Sequence, residues 1–116
     1  QVFYEESRKI ILRGADGVVF VADSHLARRV ANEEALDDLK RNLLIYGLDI
    51  KTIPLVIQYN KRDLHNAMDI DDMRIDLNYF KVPDFEAVAV NGDGVIETFQ
   101  AITRMVIAKV SEDLGL

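Results

Sequence analysis

Two continuous apolar runs constrain this chain more than any other feature. Gly17-Val18-Val19-Phe20-Val21-Ala22-Asp23 and Leu55-Val56-Ile57-Gln58-Tyr59, the second opened by Pro54, are rich in β-branched and aromatic residues and show no regular apolar-polar alternation. Runs of this kind form strands buried on both faces, and such strands belong to parallel sheets covered by helices. The intervening segments supply those helices. Residues 3–13 are good helix formers and stop before Gly14, while residues 29–46 space Ala35, Leu36, Leu39, Leu43 and Tyr46 by threes and fours before Gly47. Asp69 is placed to cap a short helix that buries Ile70, Met73 and Leu77, with Asp72 near its positive end. Pro83 precedes a third strand, Phe85 to Val90. The loop Asn91-Gly92-Asp93-Gly94 then leads into a last helix striped by Val95, Phe99, Ile102, Val106 and Val110.

Strands alternating with helices predict a three-layer α/β fold, a mostly parallel sheet with right-handed crossovers and helices on its faces. Three strands are few for such a sheet, and the first has no neighbour in prospect. Residues 1–116 are therefore expected to be the later portion of a single longer domain, in keeping with an opening Gln1-Val2-Phe3-Tyr4 that lacks an initiator methionine. With its neighbour missing, the strand at Val18–Ala22 is expected to be an unpaired apolar edge, inviting self-association with a second copy.

Charge and composition exclude several functions. The chain carries 14 Lys and Arg against 20 Asp and Glu, a net charge of −6, which opposes approach to nucleic acid or an anionic bilayer. Without cysteine there is no disulfide frame, thiol nucleophile or Cys-based zinc site, and two isolated histidines do not suggest a His-rich one. The longest apolar run, Val18 to Ala22, is far short of the roughly 20 residues that a membrane-spanning helix needs. The N-terminal residues do not read as a secretory signal, so a cytoplasmic domain is expected.

Ligands of open parallel sheets sit at the carboxyl ends of the strands. The second strand runs directly into Asn60-Lys61-Arg62-Asp63. An Asn-Lys-x-Asp sequence there suits guanine, because the two oxygens of Asp63 match the adjacent N1–H and 2-amino donors of that base. Adenine would present a lone pair instead, and a site built on buried hydrogen bonds rejects such an analogue by about 10⁴-fold. Asn60 can donate to the O6/N7 edge or tie neighbouring loops together, and the Lys61 stem can lie along the base. The competing reading is an ordinary polar turn leaving a strand. Val88-Ala89-Val90-Asn91-Gly92 ends the third strand, where small Ala89 permits close approach to a base edge or simply forms a strand-to-helix turn.

Other groups admit plainer readings. Asp23 is either a cap at the start of a helix or a phosphoryl acceptor of the receiver type. His25 and His65 lie in polar loops and are expected to be exposed without partners. Asp69, Asp71 and Asp72 read as a solvated helix start before they read as a cation site. Met68, Met73 and Met105 form no stripe, and no GxxxxGK[ST] phosphate loop occurs in these residues.

The order strand, Asn-Lys-x-Asp, helix, strand, small-residue loop and helix resembles the C-terminal half of a Ras-like small GTPase, a P-loop NTPase fold. VVFVADS, IQYNKRDL and VPDFEAVAVNGDGV are most similar to the bacterial gliding-motility GTPases of the MglA type, and the likeness covers essentially the whole chain. It implies that Asn60, Lys61 and Asp63 form the base-specificity motif. It implies further that Ala89 and Val90 belong to the last guanine loop, where the family commonly has Ser-Ala-Lys and this chain has Val88-Ala89-Val90. Gln1 falls where the family places its water-positioning glutamine, followed by the second switch over residues 2–14. The phosphate loop, the Mg²⁺-binding threonine of the first switch and the aspartate of the third motif would lie upstream. The resemblance thus implies GTP or GDP with Mg²⁺ in a longer protein, a switch hydrolysing GTP in cell polarity and gliding motility. A Roadblock-type activating protein and polarity effectors would be its partners, in the cytoplasm and at a cell pole. These 116 residues alone are expected neither to hydrolyse GTP nor to hold it tightly. The alternative function is a non-catalytic α/β interaction module that kept the motif.

Overall fold

A computed structural model of the chain describes residues 16–116 and, before them, only the backbone of the short strand β1 (Lys9–Ile10). The elements that follow are β2 (Val18–Asp23), α1 (Arg29–Ile45), β3 (Leu55–Asn60), α2 (Ile70–Leu77), β4 (Asp84–Glu86) and α3 (Val95–Asp113). One-turn 3₁₀ segments at Leu26–Arg28 and Ala89–Asn91 follow β2 and β4. The sheet order is β1-β2-β3-β4. β2 and β3 run parallel in a six-residue register from Val18 opposite Leu55 to Asp23 opposite Asn60, and β3 and β4 run parallel from Ile57 opposite Asp84 to Tyr59 opposite Glu86.

Successive side chains of a strand point to opposite faces, so the apolar runs serve two cores. On one face Val18, Phe20, Leu55, Ile57 and Tyr59 pack with Leu36, Leu39 and Leu43 of α1 and Met73 and Leu77 of α2. On the other, Val19 and Val56 pack with Ile102 of α3, flanked by Val21, Phe85 and Val106. The result is the expected three-layer α/β arrangement. Gln58, the one polar residue inside the β3 run, is buried on the α3 face. Its Nε2 donates to Thr98 Oγ1 at 2.8 Å, and that hydroxyl donates to the Gly94 carbonyl at 2.7 Å. A paired amide adds little burial penalty, whereas an unpaired one costs a few kcal/mol. Gly17 lets α3 close on the start of β2, since a Cβ there would stand 2.7 Å from Val106 Cγ2.

Four expectations need correction. Lys9 and Ile10 are strand rather than helix, and the remainder of the helix expected over 3–13 lies outside the described residues. β2 is not an unpaired edge, because Lys9 and Ile10 pair antiparallel with Phe20 and Val19. The third strand covers Asp84–Glu86, not Phe85–Val90. Its partner β3 ends at Asn60, where Lys61 turns into the left-handed region at φ 66°; Ala87 makes one more bond to the Tyr59 carbonyl before Val88 turns to Asp93. The stripes are narrower than their spacing suggests. Tyr46 lies beyond α1 and is 50% exposed, and Phe99 is 49% exposed because α3 meets the sheet through Thr98 and Ile102. The start of α2 is as expected, with the Asp69 carboxylate accepting the Asp71 N–H at 2.9 Å. No helix among the described residues is long and apolar enough to cross a membrane.

Candidate functional site

The ends of β2 and β3 and the loop after β4 converge at the carboxyl edge of the sheet. The register that sets Asp23 opposite Asn60 brings them together. The loop after β3 is then pinned to the continuation of β2, with Met68 N–H donating to the Ser24 carbonyl at 2.7 Å and Leu26 N–H to the Asn66 carbonyl at 3.1 Å.

The four consecutive polar residues at the end of β3 have four different fates. Asn60 Oδ1 accepts the Lys61 N–H at 2.8 Å and the Ala89 N–H at 2.9 Å, tying the two loops together. Lys61, at positive φ, sends its ammonium to Asp23 Oδ2 at 3.1 Å. Arg62 turns back into the protein. Its N–H reaches the Ala87 carbonyl at 3.2 Å, and its guanidinium donates to the Met68 carbonyl at 2.6 Å and to Glu86 at 3.0 Å. Asp63 is exposed, and its carboxylate has no hydrogen-bond or ion-pair partner among the described residues. Three of the four side chains are thus engaged within the protein, and the Asp63 carboxylate is left open.

The last loop borders the same edge. Ala89 is exposed and its N–H is already donated to Asn60, while Val90 is 91% exposed. The turn out of this loop depends on Gly94, whose φ is 78° and whose added Cβ would stand 2.2 Å from the Glu86 carbonyl oxygen. Only glycine fits there. Gln1 lies outside the described residues.

Asp23 proves more connected than a simple cap. Oδ1 accepts the His25 N–H at 2.9 Å and Oδ2 meets Lys61. Burial alone would raise its pKa, but the His25 N–H and the Lys61 ammonium hold it below the ordinary carboxylate value. The backbone of Asp23 is fixed in turn by buried Asn32, which accepts its N–H at 3.2 Å and donates to its carbonyl at 2.8 Å. Sequence reasoning missed Asn32, although a polar residue four before Leu36 on the buried stripe of α1 was the signal. His25 is not the partnerless exposed group expected. Its Nδ1 accepts the Ala27 N–H at 3.0 Å, and its Nε2 lies 2.8 Å from the Asn66 amide. His65 is exposed. Among the described residues no three His, Asp or Glu side chains gather as a metal site would require.

A mostly parallel sheet whose central strand ends in this Asn-Lys-x-Asp loop, bound to a small-residue loop after the next strand, is the arrangement of Ras-like small GTPases. The profile of the ADP-ribosylation factor family matches residues 8–106, and the chain belongs to that family. It is 50% identical over 112 residues to the mutual gliding-motility protein MglA of Myxococcus xanthus (strain DK1622), which covers 97% of this chain and 57% of the relative. It is 30% identical over 99 residues to ADP-ribosylation factor K of Dictyostelium discoideum, covering 78% of this chain and 49% of that protein. The chain thus spans about half the length of the curated relatives it matches.

Proposed function

We propose that these residues are the base-recognising part of a guanine-nucleotide switch that hydrolyses GTP to GDP as a longer protein. The observation that carries this reading is the open Asp63 carboxylate beside the anchored Lys61 stem, with Asn60 joining both to the Ala89 loop. In this reading Asp63 accepts the N1–H and 2-amino donors of guanine together, and Lys61 lies along the base. Ala89 and Val90 border the base oxygen, which on arrival competes with Asn60 for the Ala89 N–H.

The nucleotide would be GTP or GDP with Mg²⁺. Phosphates and metal fall to segments outside these residues, since no phosphate-loop sequence occurs here. Gln1 would orient the attacking water. Phosphoryl transfer depends on a phosphate cradle and Mg²⁺, so these residues alone should neither turn over GTP nor hold it tightly. Similarity to a gliding-motility protein supports a role in gliding motility, and the reading extends that role to cell polarity. A Roadblock-type activating protein and polarity effectors would then be partners, in the cytoplasm and at a cell pole.

The test is to purify the full-length protein in Mg²⁺, denature it and assay the released nucleotide. Stoichiometric GDP or GTP is expected. An empty protein that also fails to take up added GTP overturns the reading and leaves an interaction module with an inherited loop.

A further inference from the structure

Lysine is a poor platform when free, because its four-carbon stem carries rotamer entropy that a base must freeze on landing. Lys61 is held at both ends. Its backbone sits in the left-handed region at φ 66°, with its N–H on Asn60 Oδ1 at 2.8 Å. Its ammonium, on a side chain 55% exposed, meets Asp23 Oδ2 at 3.1 Å.

The second anchor is itself rigid. The Asp23 side chain is only 14% exposed, its other oxygen accepts the His25 N–H, and its backbone N–H and carbonyl are both bound by the buried Asn32 amide. Fixing one partner beforehand removes much of the entropic cost that makes ordinary surface ion pairs weak. Asp23 makes no bond that marks guanine from another base, since Asp63 is the open acceptor pair.

We infer that Asp23 is a positioning residue of the nucleotide site, holding the Lys61 stem as a preformed ledge for the base and setting how long nucleotide stays bound without setting which base is chosen. The inference rests on the guanine-site reading above. It assigns Asp23 neither the capping role alone nor the phosphoryl-acceptor role open to it from sequence.

The test uses the full-length protein loaded with N-methylanthraniloyl-GDP in Mg²⁺ and chased with unlabelled GDP. Asp23→Asn keeps the size of the side chain and an acceptor for the His25 N–H but removes the charge that draws Lys61. It should speed release by about threefold to tenfold in the otherwise unchanged protein. In a Lys61→Met background, which keeps an apolar stem without the ammonium, the same change should alter release by less than about twofold, as coupled residues require. Preference for GDP over ADP should be unchanged by Asp23→Asn. Asp23→Ser, which also retains an acceptor, serves if Asp23→Asn does not fold.

Equal acceleration in both backgrounds would show a general structural role and overturn the inference, as would no acceleration in either. If the unaltered protein takes up no GDP, the guanine reading itself fails, and the two failures are distinguishable.

Discussion

Asp84 and Asp63 lie on either side of the β3–β4 pairing and are treated in opposite ways. Asp84 opens β4 and is surrounded by donors. Tyr59 Oη and Asn78 Nδ2 donate to it at 2.8 Å, and Arg74 Nε at 3.2 Å. Asp63 has no partner among the described residues. A buried or half-buried carboxylate that collects its donors from the fold stabilises the fold; an open one beside fixed neighbours is available to a ligand. The first ties α2 to the sheet, and the second is proposed to read guanine. Mutating each should therefore move a different observable.

The largest effect belongs to Asp63. Asp63→Ala in the full-length protein should weaken GDP binding by about a thousandfold, measured by titration calorimetry. Its thermal midpoint without nucleotide should hardly move, since surface changes rarely exceed about 0.5 kcal/mol. A large loss of stability would mean that Asp63 has an internal partner, and the contrast would collapse.

Asp84→Ala should do the reverse. It strands the buried Tyr59 hydroxyl and one of the two Asn78 Nδ2 donors, the other staying on the Val82 carbonyl, and costs about 2–3 kcal/mol, read from urea denaturation. Protein that remains folded should keep its GDP affinity. A specific loss of binding at unchanged stability would assign Asp84 to the site instead.

The smallest effect sharpens the comparison through pH. Burial would raise the Asp84 pKa, but Asn78, Tyr59 and Arg74 together hold it below its ordinary 3.8. A lowered carboxylate stabilises the fold above its unfolded pKa, and that contribution fades as pH falls through the lower folded value. Tyr59 works from the other side. Burial, then Asp84, raises its pKa above the ordinary 10.0, so its contribution is full below that pH and fades as pH climbs past it. Stability measured against pH should fall at both extremes. Asp84→Asn should flatten the acid limb and Tyr59→Phe the alkaline limb; unchanged limbs would show that the network does not govern them.

The layered fold was legible because strands covered on both faces leave unbroken apolar runs, and β2 and β3 lie where those runs lie. Asp69 marked the start of α2 for an equally local reason. β4 is shorter than its apolar run because Phe85-Glu86-Ala87-Val88-Ala89-Val90 stays largely apolar after its pairing partner has ended, and a strand stops where its neighbour stops. Phe99 and Tyr46 keep the helical spacing yet stay half exposed, because spacing marks a helix face but not the width of the surface beneath it.

At the site, the motif at Asn60, Lys61 and Asp63 could be read for chemistry, and loop-tying by Asn60 was one of two roles in view. Seeing that tie needed Ala89, 29 residues away in sequence. The Asp23–Lys61 pair was hidden for the same reason, since a span of 38 residues leaves no local signal and an aspartate after a strand looks like a cap.

The most direct test of the central claim exchanges the hydrogen-bonding character of Asp63 in the full-length protein. An asparagine amide accepts from the N1–H of xanthine and donates to its 2-carbonyl, whereas it cannot accept both guanine donors. Asp63→Asn should therefore lose GDP and gain XDP in competition binding, reversing the preference of the unaltered protein. Retained GDP preference in the variant would contradict the claim that this carboxylate reads the base.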